Sequence, residues 1–409
     1  MEKILFIGMV WPEPTSSAAG VRMMQLINAC KPSLNTVFFA CSAAKSEYSY
    51  DLSSVNVQEI EIQLNDSSFN RVVKDINPTV VVYDRYIIEE QYGWRIKDTC
   101  PNAVQILDTE DIHFLRYARE QAIKKGIDFN IELCYNDVAK REVASILRSD
   151  LTLVISQYEM ELLQHEFHID SNLLLYLPLW VESDKLNSIP DYDMREGFMF
   201  IGNFLHEPNW DAVLQLKKIY WPKIRQELPT ANLYIYGAYP SEKVFQLNNK
   251  SEGFHVLGRA ISAESVCFKH KLMLAPLRFG AGVKGKFIDA MRFGIPSITY
   301  NIGSESMINS VNEWGGSIAS NLTDFISSSI ELYTNKEHWN HAQLKGFKLL
   351  STAQYKSKAE YFLEELIKLK QNLTTHRAMN FYGSMLNYHL LQSTKYMSRW
   401  IELKNNQSL

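Results

Sequence analysis

The chain has 409 residues, of which 46% are hydrophobic and 22% charged, with a formal net charge of −4. That length exceeds one ordinary core and implies two domains, and the apolar fraction excludes a disordered or fibrous class. A slightly acidic balance argues against a protein whose main task is to grip DNA or RNA, so any anion binding should be local.

The amino terminus, MEKILFIGMVWPEPTSS, carries a short apolar run from Ile4 to Trp11 after a single lysine, with no small-residue cleavage site close behind. It reads as a first strand, Ile4–Met9, rather than a leader. Further strand-like runs follow at Thr36–Ala40, Val57–Ile62, Thr79–Tyr83, Val104–Leu107, Leu151–Ser156 and Leu173–Leu177. They are short, dense in Val, Ile, Leu and Phe, and do not alternate cleanly, as strands of a parallel sheet covered on both faces do. Amphipathic segments such as Arg22–Asn28 and Asp137–Ile146 fill gaps between them. The first half is therefore an α/β domain.

From Glu182 to Glu196 the polar stretch ESDKLNSIPDYDMRE has no apolar period and reads as a linker. The pattern then restarts at Phe198–Ile201, Asn232–Tyr236, Phe254–Leu257, Leu272–Ala275, Ser297–Tyr300 and Ser317–Ala319. Helices are expected at Asn209–Leu228, kinked at Pro222, and at Lys286–Phe293 and Leu322–Tyr333. Beyond Glu337 the signal is helical, over Glu337–Leu350, Lys356–Lys370 and Met379–Ile401. Two α/β domains in tandem leave a cleft between them.

Five scattered cysteines without a CxxC spacing imply a reduced compartment and argue against a structural zinc. No run approaches the 18 apolar residues of a spanning helix, so a cytoplasmic protein is expected.

The chemistry concentrates in PLRFGAGVKGKFIDAMRFGIPSITY, Pro276–Tyr300. Gly280, Gly282 and Gly285 lie between a strand and a helix, where glycine admits positive φ and close ligand approach. The first turn of the helix leaves N–H groups unpaired, and Arg278, Lys284 and Lys286 add positive charge, which suits a diphosphate. Asp289, three residues past Lys286, reaches the same mouth and can pair ribose hydroxyls. The competing account is a common glycine-rich loop with solvated lysines. The spacing matches neither a P-loop nor a G-x-G-x-x-G fingerprint.

This segment closely resembles the nucleotide-sugar-binding segment of retaining glycosyltransferase family 4, the glycosyl transferases group 1. FIGNFLHEPNWDAV, LYIYGAYP and FHVLGRA follow the family's order, and WPEPTSSAAGVR, LDTEDIH, SQYE and LPLWVESD agree more loosely. The resemblance implies the GT-B architecture, two Rossmann-like parallel-sheet domains facing a cleft, with C-terminal helices. The corresponding division is 1–181 for the acceptor-side domain, 182–196 for the linker, 197–355 for the nucleotide-sugar domain and 356–409 for helices crossing back to the first.

The resemblance also assigns roles. Lys286 and Arg278 would neutralise the diphosphate, helped by Lys284, while Gly282 and Val283 pass close to the sugar and phosphates. Asp289 stands at the family's second glutamate, and the first falls on Ala281. Asn203 would donate from the loop after the second domain's first strand, which carries no strong cation. Gly20 would approach the phosphate, and Arg259 the base. Glu110 aligns with a family histidine near the reacting sugar, and His113 sits three residues on. The other account of that stretch is a helix start, capped by Thr109 or Asp108. Ser156 and Glu159 read first as a capping pair. Arg22, at a helix start, is either a surface arginine or one facing an anion.

What is implied is a retaining, metal-independent hexosyltransferase in polysaccharide or glycoconjugate synthesis. No cofactor stays bound, the donor is a UDP- or GDP-sugar, and the acceptor is a glycan, lipid-linked or other hydroxyl. An epimerase or phosphorylase of the same architecture, and a glycosyltransferase-like scaffold, are the alternatives. The C-terminal segment leaves two other uses open, a homodimer seam or a peripheral contact at the inner face of the membrane.

Overall fold

The structure, a computed structural model, describes residues 2–31, 36–181, 189–352 and 355–407, so residues 182–188 of the expected linker lie outside it. The first half runs β1 (Lys3–Gly8), α1 (Ala18–Cys30), β2 (Thr36–Cys41), β3 (Gln58–Glu61) and α2 (Ser68–Ile76). It continues with β4 (Val80–Asp84), α3 (Tyr86–Thr99), β5 (Val104–Asp108) and α4 (His113–Lys125). It closes with α5 (Asp137–Arg148), β6 (Leu151–Val154), α6 (Gln157–His165) and β7 (Leu174–Tyr176).

The second half opens with β8 (Phe198–Ile201), α7 (Glu207–Gln215), α8 (Trp221–Glu227), β9 (Leu233–Tyr236) and α9 (Glu242–Phe245). Then come β10 (Phe254–Gly258), α10 (Ala263–Cys267), β11 (Leu272–Ala275), α11 (Gly285–Arg292) and β12 (Ser297–Tyr300). It ends on α12 (Asn301–Ser304), β13 (Gly316–Ala319), α13 (Leu322–Thr334) and α14 (Lys336–Leu350). Three helices finish the chain: α15 (Ala359–Gln371), α16 (Leu373–Met379) and α17 (Phe381–Gln407).

Each run read as a strand is a strand, with bounds shifted by a residue or two. All pair in parallel, in the orders β3-β2-β1-β4-β5-β6-β7 and β10-β9-β8-β11-β12-β13. Alternate residues of β1 feed opposite layers: Leu5 and Ile7 join Tyr92 and Phe114, while Ile4 and Phe6 join Leu26 and Phe39. Burial on both faces is what removed the alternation of polar residues from the sequence. The expected kink at Pro222 takes a specific form. Its missing N–H cannot bond to the Lys218 carbonyl, and the chain widens into a π-helical turn over Leu216–Tyr220 just before it.

The last helices return to the first sheet. On α15, Phe362, Leu366 and Leu369 are buried in the same layer as Ile4 and Leu26, worth about 1.5–3 kcal/mol for each large side chain. On α16, the Arg377 guanidinium places Nε and Nη2 each 2.7 Å from the Asp150 carboxylate. Helix α17 crosses α5 where Gly383 sits; a Cβ there would stand 2.0 Å from the Leu147 carbonyl oxygen. Crossing covers only one side of α17, and Phe381, Tyr382, Tyr388, Tyr396 and Trp400 remain exposed on the helix. No described helix is long and apolar enough to cross a membrane.

Candidate functional site

Strand order reverses between β1 and β4 in one sheet and between β8 and β11 in the other. Adjacent strands there send their following segments apart and leave a crevice at the carboxyl ends, where open α/β sheets take ligands. The two carboxyl edges face each other. Loops after β1, β5 and β6 meet loops after β9, β10, β11 and β12 through hydrogen bonds such as Tyr239 Oη to Glu13 Oε1 at 2.6 Å. The glycine-rich segment lies in the middle of this seam.

That segment joins β11 to α11 and is held from both sides. Gly282 has φ 64°, and a Cβ on it would lie 2.9 Å from Asp111 Cβ in the first domain. Glycine is required there by backbone angle and by space. Gly285 opens α11 against Ala18, 2.8 Å from where its own Cβ would be. Phe287, Ile288 and Met291 bury the helix as the sequence indicated, and Val283 is buried in the same core.

Lys286 lies over the ring of Phe200, with Nζ 4.3 Å from its centroid, and donates to Asn209 Oδ1 at 2.5 Å. Both partners are neutral. Burial without a counter-charge pulls its ammonium down to about 7. Lys284 donates to the Gly282 carbonyl at 2.8 Å, and burial pulls it down to about 8. Asp289 lies one turn beyond Lys286, half-buried, with its carboxyl pushed up to about 6 by burial and no hydrogen-bond partner among the described residues. Two cations, of which Lys286 has no counter-charge, and a carboxylate therefore gather around the open first turn of α11.

Across the seam, Glu110 has φ 62°, a conformation that costs a non-glycine residue about 1–3 kcal/mol. Its buried Oε1 has no hydrogen-bond partner, and burial beside Asp108 holds the carboxyl well above the usual range. His113 stacks edge-on to Tyr86 at 5.4 Å, and burial pulls its imidazole down to about 3 against the pull of Asp111, so the ring is neutral. Burial would raise Asp111, but Arg116, His113 and His206 prevail and hold it below the usual range. Among the described residues, no group of three His, Cys, Asp or Glu side chains is arranged to hold a metal ion.

The helix-start account of LDTEDIH needs correcting. Helix α4 begins at His113, four to five residues beyond Thr109 and Asp108, and neither caps it. Thr109 Oγ1 donates to the Leu153 carbonyl. The cap comes from another helix: the Glu142 carboxylate of α5 accepts from His113 N at 3.1 Å and Phe114 N at 3.0 Å. Arg22 is no surface residue either. It is fully buried, its anion being Asp108. Ser156 does cap α6, accepting from Glu159 N at 3.3 Å.

The other expected residues spread along the seam. Gly20 donates its N–H to the α1 cap, Ser17 Oγ, at 3.0 Å. Asn203 caps its own loop, accepting from Leu205 N at 2.8 Å. Arg259 donates to Thr15 Oγ1 at 2.7 Å and lies 4.0 Å from the Tyr48 ring centroid, so it bridges the domains beside Tyr239. Arg278 is exposed and already pairs with both carboxylate oxygens of Asp211. Sequence reasoning passed over Arg85, which stands between β4 and α3 at φ 72°, lies 3.6 Å from the Asp84 carboxylate and acts electrostatically on Glu110 and Asp111. No periodicity or motif marks it.

Residues 195–335 match the family model Glycosyl transferases group 1, a stretch of about a third of the chain. No curated protein matches the chain in sequence. Among solved structures, sucrose-phosphate synthase from Thermosynechococcus elongatus is 11% identical with a TM-score of 0.62, covering 92% of this chain and 100% of that one. HepE from Anabaena, in complex with UDP and glucose, is 10% identical with a TM-score of 0.63, over 90% and 100%. A point mutant of TarM from S. aureus, in complex with fondaparinux, α-GlcNAc-glycerol and UDP, is 13% identical with a TM-score of 0.57; the match covers 74% of this chain and 58% of that one. The fold is the two-domain GT-B α/β fold of these structures, and C-terminal helices are present.

Proposed function

We propose that this protein, a GT-B fold whose second domain matches the glycosyl transferases group 1 family model, moves a sugar from a nucleoside diphosphate to an acceptor hydroxyl. One observation carries the reading: Lys286, half-buried at the open amino end of α11, has only neutral partners, the Asn209 amide oxygen and the Phe200 ring. A cation drawn partly out of water without a counter-charge is costly unless an anion arrives. A diphosphate supplies that anion, and the helix N-terminus and Lys284 reinforce its binding.

In the reaction, negative charge grows on the leaving diphosphate as the glycosidic bond breaks. Lys286, Lys284 and the first N–H groups of α11 are fixed before the reaction and oppose that charge, which lowers the barrier without reorganisation. Asp289, one turn on, accepts from the ribose hydroxyls. The sugar then faces the first domain, where Glu110, kept protonated by burial, donates to a sugar hydroxyl, and neutral His113 stands behind it. The acceptor approaches from the same side as the leaving phosphate, giving retention of configuration, and the phosphate oxygen takes the acceptor's proton. Retention and the role of the phosphate rest on the family resemblance.

UDP in the HepE and TarM complexes makes UDP-sugars the first donors to try, with GDP-sugars beside them. The test is product analysis by NMR with each donor and simple glycan acceptors. Release of nucleoside diphosphate together with a new α-glycoside from an α-linked donor supports the reading. A rearranged nucleotide sugar with no transfer would favour an epimerase.

A further inference from the structure

Helix α6 opens with the sequence of a capping box, Ser156 followed at spacing three by Glu159. In such a box the acidic side chain turns back to the N–H of the cap residue. Here only half of the box forms. Ser156 caps, but the Glu159 carboxylate turns away: Oε1 accepts from Ile112 N at 2.9 Å and from Gly282 N, in the other domain, at 2.8 Å. The carboxylate is fully buried, and Oε2 has no partner. A local cap would have satisfied the helix with less desolvation, so the departure has a use other than holding α6.

A second charged group grips the same loop. Arg119 of α4, 6% exposed, donates Nη1 to the Gly280 carbonyl at 2.8 Å and pairs through both terminal nitrogens with Glu305, at 2.9 and 2.7 Å. Next to Glu305, Ser306 Oγ lies 2.9 Å from Ser156 Oγ and accepts from Tyr158 N at 3.0 Å. The loop is thus held at Gly280 O and Gly282 N by two side chains of the opposite domain.

We propose that Glu159 is a positioning residue that, together with Arg119, sets the placement of the glycine-rich loop and holds the two domains closed. Within the loop's own domain Lys284 holds the Gly282 carbonyl, but Gly280 and Gly282 carry no side chain that would fix the loop's angle. The first domain supplies the restraint, and the same Glu159 oxygen ties it to Ile112, two residues past Glu110. Closure, loop placement and presentation of Glu110 are thereby one event. The inference concerns domain placement and holds whether or not the loop receives a diphosphate.

The test uses the full chain with spin labels on Lys125→Cys and Lys218→Cys, one exposed position in each half, the five native cysteines being buried. In the unmodified background the interdomain distance should be single and narrow. Glu159→Gln keeps an oxygen acceptor and should retain it. Glu159→Ala and Arg119→Ala should broaden the distribution and lengthen its mean. Should the alanine variants fail to fold, as circular dichroism would show, Glu305→Gln removes the Arg119 charge partner at a less buried position and should give a partial broadening. A narrow, unchanged distance in Glu159→Ala, or in Glu305→Gln where that variant is the one that folds, overturns the inference. UDP and GDP titrations on the same proteins separate the two proposals. If the parent binds neither, the donor reading fails while the distances still decide the clamp. If it binds one, Glu159→Ala should weaken it at least tenfold and Glu159→Gln should not.

Discussion

Arg22 and Asp108 meet in full burial, with Nη2 3.1 Å from Oδ1 and both side chains 0% exposed. The guanidinium also donates to the Leu177 carbonyl at 2.6 Å, so the first turns of α1 are tied to the ends of β5 and β7. The pair fixes the floor of the seam beneath Glu110. Removing one partner leaves an uncompensated buried charge, which costs about 3–5 kcal/mol. Arg22→Ala should lose that much in urea unfolding of the full chain, and a loss within error of zero would refute the structural role.

Lys286 gives a sharper signature, because its predicted effects on stability and on binding have opposite signs. Its folded-state value of about 7 lies below the ordinary lysine value of 10.5, so the unfolded chain binds the proton more readily. Below pH 7 the lysine is charged in both states and burial of that charge opposes folding. The penalty fades as pH rises from about 7 to 10.5. Lys286→Met should therefore stabilise the protein near pH 6.5, by about 0.5–2 kcal/mol, the usual size of a single stabilising change. The same variant should lose affinity for nucleoside diphosphate. Lys218, exposed, is the matched control. Lys97 would not serve, since it is part-buried on the Arg148 carbonyl. Melting curves across pH 6–10 decide this, and a destabilised Lys286→Met at pH 6.5 would contradict it.

Glu142 links the cap of α4 to pH. Burial pushes its carboxyl up to about 8, although the His113 and Phe114 N–H groups favour the charged form. The folded state then holds a proton that the unfolded state releases above about pH 4.5. This contribution to stability is complete below that point and is lost as pH rises towards 8. Glu142→Gln should flatten the decline in melting temperature between pH 5 and 8. Glu142→Ala should cost about 1–3 kcal/mol through unsatisfied buried donors. An unchanged pH slope in Glu142→Gln would be the adverse result.

These three residues also show how far the sequence could be read. Parallel strands were legible because Ile4–Ile7 or Val80–Val82 are buried on both faces, and burial writes itself into composition. The join at Gly280–Gly285 was legible because chain order alone puts glycines and lysines between a strand and a helix. What could not be read depends on distant segments meeting. Glu142 caps a helix that begins 29 residues earlier, and Glu159 spends its carboxylate on another domain rather than on its own cap. Whether Arg22 lay on the surface or faced an anion was open in the sequence because its partner lies 86 positions away. The positive φ of Glu110 and Arg85 has no counterpart in residue type, since glycine is absent from both positions.

Truncation after Lys370 removes α16 and α17, and with them the Arg377–Asp150 pair and the packing of Gly383 on Leu147. Breaking that pair leaves the mostly buried Asp150 carboxylate short of a partner, and the faces of α3 and α5 lose their cover. The melting temperature should fall by several degrees, as about 1–3 kcal/mol would give in a chain of this size. Sedimentation and vesicle flotation of the same protein check the exposed aromatic side of α17. Unchanged stability with loss of self-association or of vesicle binding would show that the helix serves a partner rather than the first domain.

The most direct measurement of the central claim is calorimetric titration of UDP, GDP and their common sugar conjugates into the protein and into Lys286→Met. The account predicts that one nucleoside diphosphate and its sugar conjugate bind, that binding takes up protons between pH 7 and 8 as Lys286 regains its charge, and that Lys286→Met removes both the affinity and the proton uptake. Binding of no nucleoside diphosphate at millimolar concentration, or equal binding by Lys286→Met, would contradict it.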